Sequence, residues 1–377
     1  MIYLDNAATT PLRPEVFHEM EQWLTTEYGN PSSHHLAGRR AAEALINARE
    51  TIAEMIHARP DEIFFTSGGS EANTWAVMGL YGIGSYGHVI MSSIEHHSLL
   101  NIDRTKRLIN VDEHGRIDLQ DLGKSSNIQS DTPVVCVMMV NNEIGTIQPI
   151  DIIDQSCMER SVLFHVDAVQ AFGHIPIDVT LYKAMSTMSA SAHKIGGPKG
   201  VGFLYISKPV QEFYHPLIAG GQQERGMRGG TENVAGIVGF AKACALAQRD
   251  MEKMQTKYNM LAYDFLKTLQ DKCNVNFSIN GYELGDARRV SHILNLTFEN
   301  TQAEILTELL SEQEVCVSSG SACNSDSDEP SHVLTAIGLD EEMANNSVRV
   351  SFGYQNTEEE ILRAAEIIAN DVNMLKE

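Results

Sequence analysis

The chain of 377 residues contains no run of lysine or arginine. Its 28 basic residues stand against 50 acidic ones, a formal net charge of −22, so nucleic acid and anionic membrane surfaces repel it and no direct contact with either is expected. It has no C-x-x-C pair. The six cysteines (136, 157, 244, 273, 316 and 323) are scattered, which suggests neither a disulfide framework nor a metal site. A reducing, cytoplasmic setting is the plain reading of free thiols in a chain of this size. The most apolar segments, such as V-V-C-V-M-M-V at 134–140, are far too short to span a bilayer. The start, M-I-Y-L-D-N-A-A-T-T-P, lacks the cationic stretch and apolar core of a signal peptide. Internal repeats and long low-complexity linkers are missing too.

What remains is the composition of an ordinary globular protein, 43% hydrophobic and 21% charged, at a length that one core rarely organises. Short apolar runs alternate with segments of helical period, the pattern of an α/β fold with a mainly parallel sheet. Strands are expected at Ile63–Thr66, His88–Ser92, Val134–Val140, Val162–Val166, Ala184–Ser189 and Gly200–Ile206. Helices are expected at Ala41–His57, Glu71–Tyr81 and Thr231–Leu246. After about residue 250 the texture changes to a long helical stretch ending near Lys272, a strand at His292–Thr297, a helix at Gln302–Ser311, strands near 314–318 and at Val348–Phe352, and an amphipathic helix at Glu358–Leu375. This reads as a large domain of about 14–250 and a smaller α+β domain built from 1–13 and 251–377.

Five segments carry chemistry. In S-A-S-A-H-K-I-G-G-P-K-G-V-G (189–202) a lysine follows a buried strand in a Gly-rich turn, where a partly desolvated amine forms a Schiff base. Lys194 is the first candidate and Lys199 the second; a solvated loop lysine is the alternative. In F-H-V-D-A-V-Q (164–170), Asp167 ends an apolar strand, as a partner for a protonated pyridine nitrogen or as a helix cap. F-T-S-G-G-S-E-A-N (65–73) runs from strand through glycines into a helix, either a phosphate cradle or a turn capped by Ser70, and it is no Walker loop. S-I-E-H-H-S (93–98) offers imidazoles that stack on a ring, move protons or bind a metal. V-S-S-G-S-A-C-N-S (317–325) places Cys323 among small residues, while Cys316 reads as core.

Together these motifs resemble the cysteine desulfurases (NifS/IscS type) of the class V aminotransferase-like pyridoxal-phosphate enzymes. The resemblance runs nearly end to end and in family order. Y-L-D-N-A-A-T-T-P at the start is followed by Y-G-N-P-S-S-H-H (28–35), T-S-G-G-S-E (66–71), E-H-H (95–97) and N-N-E-I-G (141–145). H-V-D-A-V-Q (165–170), S-A-H-K (191–194), E-R-G-M-R-G-G-T (224–231), S-S-G-S-A-C (318–323) and V-R-V-S-F-G (348–353) complete it.

The resemblance implies the α/β fold type I of PLP-dependent transferases, pyridoxal 5′-phosphate as cofactor and a homodimer. Lys194 would carry the cofactor and move the proton at the substrate's α-carbon. Asp167 would pair with the ring nitrogen, Gln170 with the ring hydroxyl, and His96 would lie on the ring and assist proton transfer. Gly69, Ser70, Ser191 and His193 would hold the phosphate, with Thr231 reaching that of the neighbouring subunit. Arg349 would clamp the substrate carboxylate, with Asn142 near cofactor and substrate and Asn30 on the substrate side. Cys323, on a loop at about 318–330, would attack the sulfur of bound L-cysteine, giving L-alanine and a persulfide for a sulfur-acceptor protein, such as an iron–sulfur scaffold or a thiolation enzyme. The alternatives are a selenocysteine lyase, another class V aminotransferase-like PLP enzyme, or a relay protein that has lost catalysis; retention of Lys194, Asp167 and Cys323 speaks against the last.

Overall fold

Strands that are hydrophobic on successive residues must bury both faces, and here they pair into the centre of one large sheet. A computed structural model describes residues 1–80, 87–124, 128, 132–319 and 329–376. The elements begin with β1 (Ile2–Tyr3), α1 (Pro14–Thr25), α2 (Leu36–Met55), β2 (Ile63–Thr66), α3 (Gly69–Met78), β3 (Val89–Ser92), α4 (His97–Leu100) and β4 (Lys106–Ile109). Next come α5 (Leu119–Gly123), β5 (Val134–Met138), α6 (Ile150–Glu159), β6 (Leu163–Asp167), β7 (Met185–Ser191), β8 (Gly202–Ile206) and α7 (Val234–Lys272). The last third holds β9 (Phe277–Ile279), β10 (Ile293–Phe298), α8 (Ala303–Glu312), β11 (Val315–Cys316), β12 (Ser318–Ser319), α9 (His332–Ala336), α10 (Glu341–Asn345), β13 (Ser347–Ser351) and α11 (Glu358–Lys376).

The large sheet has the order β2-β8-β7-β6-β5-β3-β4. Strands β7, β6, β5, β3 and β4 are mutually parallel, and β8 runs antiparallel to both of its neighbours. The sheet is therefore mainly parallel, as the alternation of strands and helices implied. Strands β5, β7 and β8 are buried at every residue. The sequence pattern does not show β4, K-R-L-I, because an edge strand that exposes Arg107 and Leu108 and buries only Ile109 has no apolar run.

A second core forms on the antiparallel sheet β12-β13-β10-β9, where Leu294, Leu296, Val348 and Val350 meet Phe265, Leu306, Ile361 and Ile368 of the covering helices. Strand β1 lies parallel to β11 and adds Ile2 and Leu4 to that core. The strand expected near 314–318 is two short strands in different sheets, since the chain changes partner at Val317. The N-terminal segment then crosses to the first core, which includes Ala7. There Thr10 N–H donates to the His193 carbonyl and Arg13 N–H to that of Gly196, both at 2.9 Å.

The helix expected at Thr231–Leu246 and the later stretch to Lys272 are one helix, α7, of 39 residues. At 1.5 Å per residue it is about 58 Å long. Its start packs in the first core through Ile237, Phe240 and Cys244, its end in the second through Leu261, Phe265 and Leu269. The polar stretch Q-R-D-M-E-K-M-Q-T-K (248–257) between them has helical propensity enough to bridge the cores without a break. Among the described residues no helix is long and apolar enough to cross a membrane.

Candidate active site

Parallel strands deliver their carboxyl ends to one edge of the sheet, the place where open α/β sheets bind ligands. Ser92, Met138, Asp167 and Ser191 end β3, β5, β6 and β7 there. The antiparallel β8 begins at the same edge, and its Gly202 is paired with both Thr66 and Ser191. Two Gly-rich turns, 67–70 and 192–197, are thus held side by side. The approach is close: a Cβ on Gly202 would lie 2.8 Å from the Gly68 Cα and 2.5 Å from the Ala190 carbonyl oxygen. Gly68 has φ +154°, open to glycine and strained for other residues.

A cavity of about 330 Å³ opens at this edge. It is lined by Gly69, Ser70, His96, Asn142 and Asp167, and equally by Gln170, Ser191, His193, Lys194 and Arg349. Gly69, Ser70, Ser191 and His193 also line an adjoining hollow of about 400 Å³, with Ser67 and Lys199 on its rim. Ser70 does not cap α3; Gly68 is the N-cap residue and no side chain caps that end. The first-turn N–H groups have no intrahelical partners and form, with the hydroxyls of Ser70 and Ser191, a donor set suited to a phosphate. Glu71, in the same turn, is bound by both sides of the Arg228 guanidinium at 2.9 and 3.1 Å, which neutralises the one carboxylate beside that donor set.

Each functional side chain is anchored. The Lys194 Nζ donates to the carbonyls of Ala7 (2.6 Å) and Ala8 (2.7 Å). Lys199, the second candidate lysine, is exposed and reaches only the outer hollow. Asp167 Oδ1 accepts from Val169 N–H (2.9 Å), closing a turn rather than capping a helix. Its Oδ2 accepts from the Asn73 amide (2.7 Å). The Gln170 amide donates to the Ala7 carbonyl at 2.8 Å. Arg349 is ion-paired with Asp5 (2.8 Å) and donates to the Asn142 carbonyl (3.1 Å), while its buried Nε has no partner.

His96 caps the short helix α4, its Nδ1 accepting from Ser98 N–H at 3.1 Å. A nitrogen that accepts carries no proton, so in the neutral ring the proton sits on Nε2. Burial, opposed by Asp167 and reinforced by Lys194, pulls its pKa below the ordinary histidine range. Burial, with Lys194 and Lys199, pushes His193 down to about 4. Both imidazoles are neutral at pH 7.

Glu95, beside His96, is fully buried. Its Oε1 accepts from Ser92 Oγ (2.5 Å) and Met138 N–H (2.9 Å), and its Oε2 has no partner. Burial pushes its carboxyl up to about 8, so it is a neutral acid at pH 7. The unfolded chain releases this proton near 4.5 while the folded chain keeps it to about 8, so folding stability falls as pH rises through that window, by on the order of 5 kcal/mol. Glu95→Gln keeps the neutral shape and should remove this slope. Urea midpoints at pH 5 and pH 8 should converge in the variant relative to the parent; an unchanged difference would refute the assignment.

Two expected residues lie elsewhere. Asn30 is exposed, its Oδ1 accepting from Ser32 N–H, and Thr231 is exposed; neither lines the cavity of its own chain. The segment leading to Thr231 is fixed by a buried pair, with the Arg49 guanidinium bidentate on Glu224 at 2.6 and 2.8 Å. Glu224 also accepts from Phe65 N–H, and it and Arg225 adopt left-handed backbone (φ +46° and +60°). Cys323 lies outside the described residues. The sequence reading passed over Asn73, Ser98, Asp5 and the carbonyls of Ala7 and Ala8. Asn73 follows Gly69 by four residues and so shares its helix face, the one signal available; backbone carbonyls leave none.

An amine at a strand end, a carboxylate across from it, an imidazole on the wall and a phosphate-shaped donor set fit pyridoxal phosphate. The Arg349 cation on the cavity wall fits a carboxylate of the substrate. Residues 2–363 match the aminotransferase class-V family. The chain is 40% identical over 384 residues to the cysteine desulfurase IscS of Dictyoglomus turgidum, covering all of this chain and 95% of that protein. Among solved structures a NifS-like protein superposes with a TM-score of 0.89 at 33% identity, over 99% of both chains. SspA in complex with cysteine gives 0.81 at 36% identity, over 93% of this chain and 99% of that one.

Proposed function

The chain belongs to the aminotransferase class-V family and within it to the cysteine desulfurases, which use pyridoxal phosphate, and from that premise we propose how its own residues share the work. The observation that carries the reading is the meeting of Lys194, Asp167, His96 and Arg349 on one cavity. When bound, pyridoxal phosphate supplies an electron-withdrawing ring that takes up the electron pair left at the substrate's α-carbon. Lys194 holds it and then carries the proton to and from that carbon. Asp167 would pair with the ring nitrogen, Gln170 with the ring hydroxyl, and Gly69, Ser70, Ser191 and His193 would hold the phosphate. His96 would lie over the ring and present its Nε2 proton. Arg349 and Asn142 orient L-cysteine by its carboxylate.

Cys323 takes the sulfur. The enzyme thiol and L-cysteine give L-alanine and an enzyme persulfide: the C–S bond breaks, an S–S bond forms, the carbon gains a proton, and the transferred sulfur is oxidised as the carbon is reduced. Strand β12 supports this role, because Ser318 is paired with Arg349 of the cavity wall, and Ser319 leads directly into the segment that contains Cys323. In the test, purified protein with L-cysteine and a reductant should release alanine and sulfide in equal amounts with no keto acid added. Turnover that demands a keto acid would make it an aminotransferase, and activity with selenocysteine alone a lyase for that amino acid. The cytoplasm, with a sulfur-acceptor protein in iron–sulfur assembly or thiolation, suits such a product.

The same reading divides the chain inside α7 at about residue 250, with 1–13 and 251–377 as the small domain. It also makes the enzyme a homodimer. Phe17 and Leu24 on α1, Ile46 on α2 and Tyr28 between them are exposed apolar groups beside the segment of Asn30, and Tyr28 is 81% exposed. Sedimentation should give twice the 41.6 kDa of one chain. Thr231→Ala should weaken cofactor retention by about tenfold, the worth of one hydrogen bond to a charged group. A monomer that retains full activity would overturn the dimer.

A further inference from the structure

We propose that Asn73 is a positioning residue that fixes the Asp167 carboxylate and ties it to His96, so that one amide holds both sides of the cofactor ring's site. The inference rests on the roles assigned above to Asp167 and His96. Asn73 is buried, 1% exposed, and all four hydrogen-bonding positions of its amide are in use. The nitrogen donates to Asp167 Oδ2 (2.7 Å) and to Ser98 Oγ (2.8 Å). The oxygen accepts from Ser189 Oγ (2.5 Å) and from His165 Nε2 (3.0 Å).

The direction of every bond follows from Asp167. An ionised carboxylate only accepts, so the amide must turn its NH₂ toward it and its oxygen toward β6 and β7. His165 then has to donate from Nε2, which leaves Nδ1 to accept from Thr187 Oγ at 2.9 Å. Burial holds His165 neutral, its pKa pushed down to about 4, as that single-donor role requires. At the other end Ser98 Oγ accepts from Asn73, so its own proton points to His96 Nδ1 at 2.8 Å. Donation thus runs one way from Thr187 through His165 and Asn73, and there it forks to Asp167 and, through Ser98, to His96.

Reversing the polarity of Asn73 without changing its shape breaks this order. In Asn73→Asp two carboxylate oxygens would meet at the 2.7 Å now spanned by the amide bond, and they would have to share a proton. That proton competes with the one between Asp167 and the ring nitrogen, and the ring loses electron-withdrawing power.

The test uses the holoenzyme and four variants: Asn73→Asp, Asn73→Ala, Ser98→Ala and the Asn73→Ala/Ser98→Ala pair. Asn73→Asp should lower kcat about 100-fold with KM for L-cysteine changed less than about threefold, and should move the pH profile of the bound cofactor's visible absorption by about one pH unit. Asn73→Ala should show the same absorption shift with a smaller loss of kcat. Its effect and that of Ser98→Ala should be non-additive by about fivefold or more, because both cut one path to His96. A purely structural amide would lower the thermal midpoint but leave the absorption profile and the kcat of folded, cofactor-loaded enzyme within about twofold of the parent, and that result would overturn the proposal. Should the Asn73 variants fail to fold, Ser98→Ala and Ser189→Ala decide the case: an unchanged kcat and absorption profile in both would overturn it. Asp167→Asn and His96→Ala separate the two failures, since parent-like kinetics in them would sink the roles of those residues and not merely the part of Asn73.

Discussion

Lys194→Ala is expected to abolish the visible absorption of the bound cofactor and to lower turnover of L-cysteine by about 10⁴-fold or more, because one amine both holds the cofactor and moves the proton. The geometry singles out this lysine. A strand buried along its whole length, β7, ends in a single turn at Ala192–Lys194, and that turn projects the amine into the cavity against the carbonyls of Ala7 and Ala8. Losing those two charge-assisted bonds loosens the N-terminal segment by about 1–3 kcal/mol, well short of unfolding a chain with two cores. Lys199→Ala is the matched control, an exposed lysine five residues on, and should keep the colour and at least half the activity. Borohydride should fix the cofactor covalently to the parent and to the Lys199 variant but not to the Lys194 variant. Covalent fixation in the Lys194 variant would refute the assignment.

The parts of the fold that the sequence displays are those where one physical demand dominates. Strands β5 and β8 carry apolar residues in succession because both sheet faces are covered, and the expected and observed limits of β5, β6, β7 and β8 agree within about three residues. β4 stays hidden because an edge strand answers to solvent as much as to the core. The continuity of α7 is hidden by its polar middle, which looks like a boundary in composition and is a solvated bridge in structure. Strand β1 could not be paired from sequence, since its partner Val315–Cys316 lies more than 300 residues away and each offers only two residues.

The candidate site divides along the same line. Residues that must be of one chemical type show themselves in local motifs: the lysine after β7, the aspartate ending β6, the glycines between β2 and α3. Residues that act by holding others do so across long separations. Asp5 reaches Arg349 over 344 positions, and Asn73 gathers groups from β6, β7 and α4. Asp5 stands in the motif Y-L-D-N-A-A-T-T-P, yet nothing in that motif shows its partner. Asn30 and Thr231 are a third kind, visible through the resemblance yet away from the cavity of their own chain.

Cys323→Ala should bind pyridoxal phosphate and L-cysteine as the parent does, yet form neither alanine nor persulfide above about one part in 10³ of the parent rate, because C–S cleavage needs a thiolate to receive the sulfur. None of the other thiols among the described residues lines the cavity. Cys136, Cys157 and Cys244 are buried, and burial pushes their thiols far from ionisation, that of Cys157 to about 12. Cys316 lies in β11, its strand paired with β1 and its carbonyl bonded to Leu4 N–H. On both sides the chain around Cys323 is tied to cavity residues. Ser318 is paired with Arg349; beyond the segment, Ser331 donates to Glu143, next to Asn142, and His332 to the carbonyl of Glu95, next to His96. Twelve residues, 319–330, therefore separate Ser318 from Ser331, two points tied to the cavity wall, and Cys323 is one of the twelve. Mass spectrometry of the parent after brief exposure to L-cysteine should find a peptide heavier by one sulfur at Cys323. The same gain at Cys316, or alanine released by Cys323→Ala at the parent rate, would remove Cys323 from the mechanism while leaving the cofactor site intact.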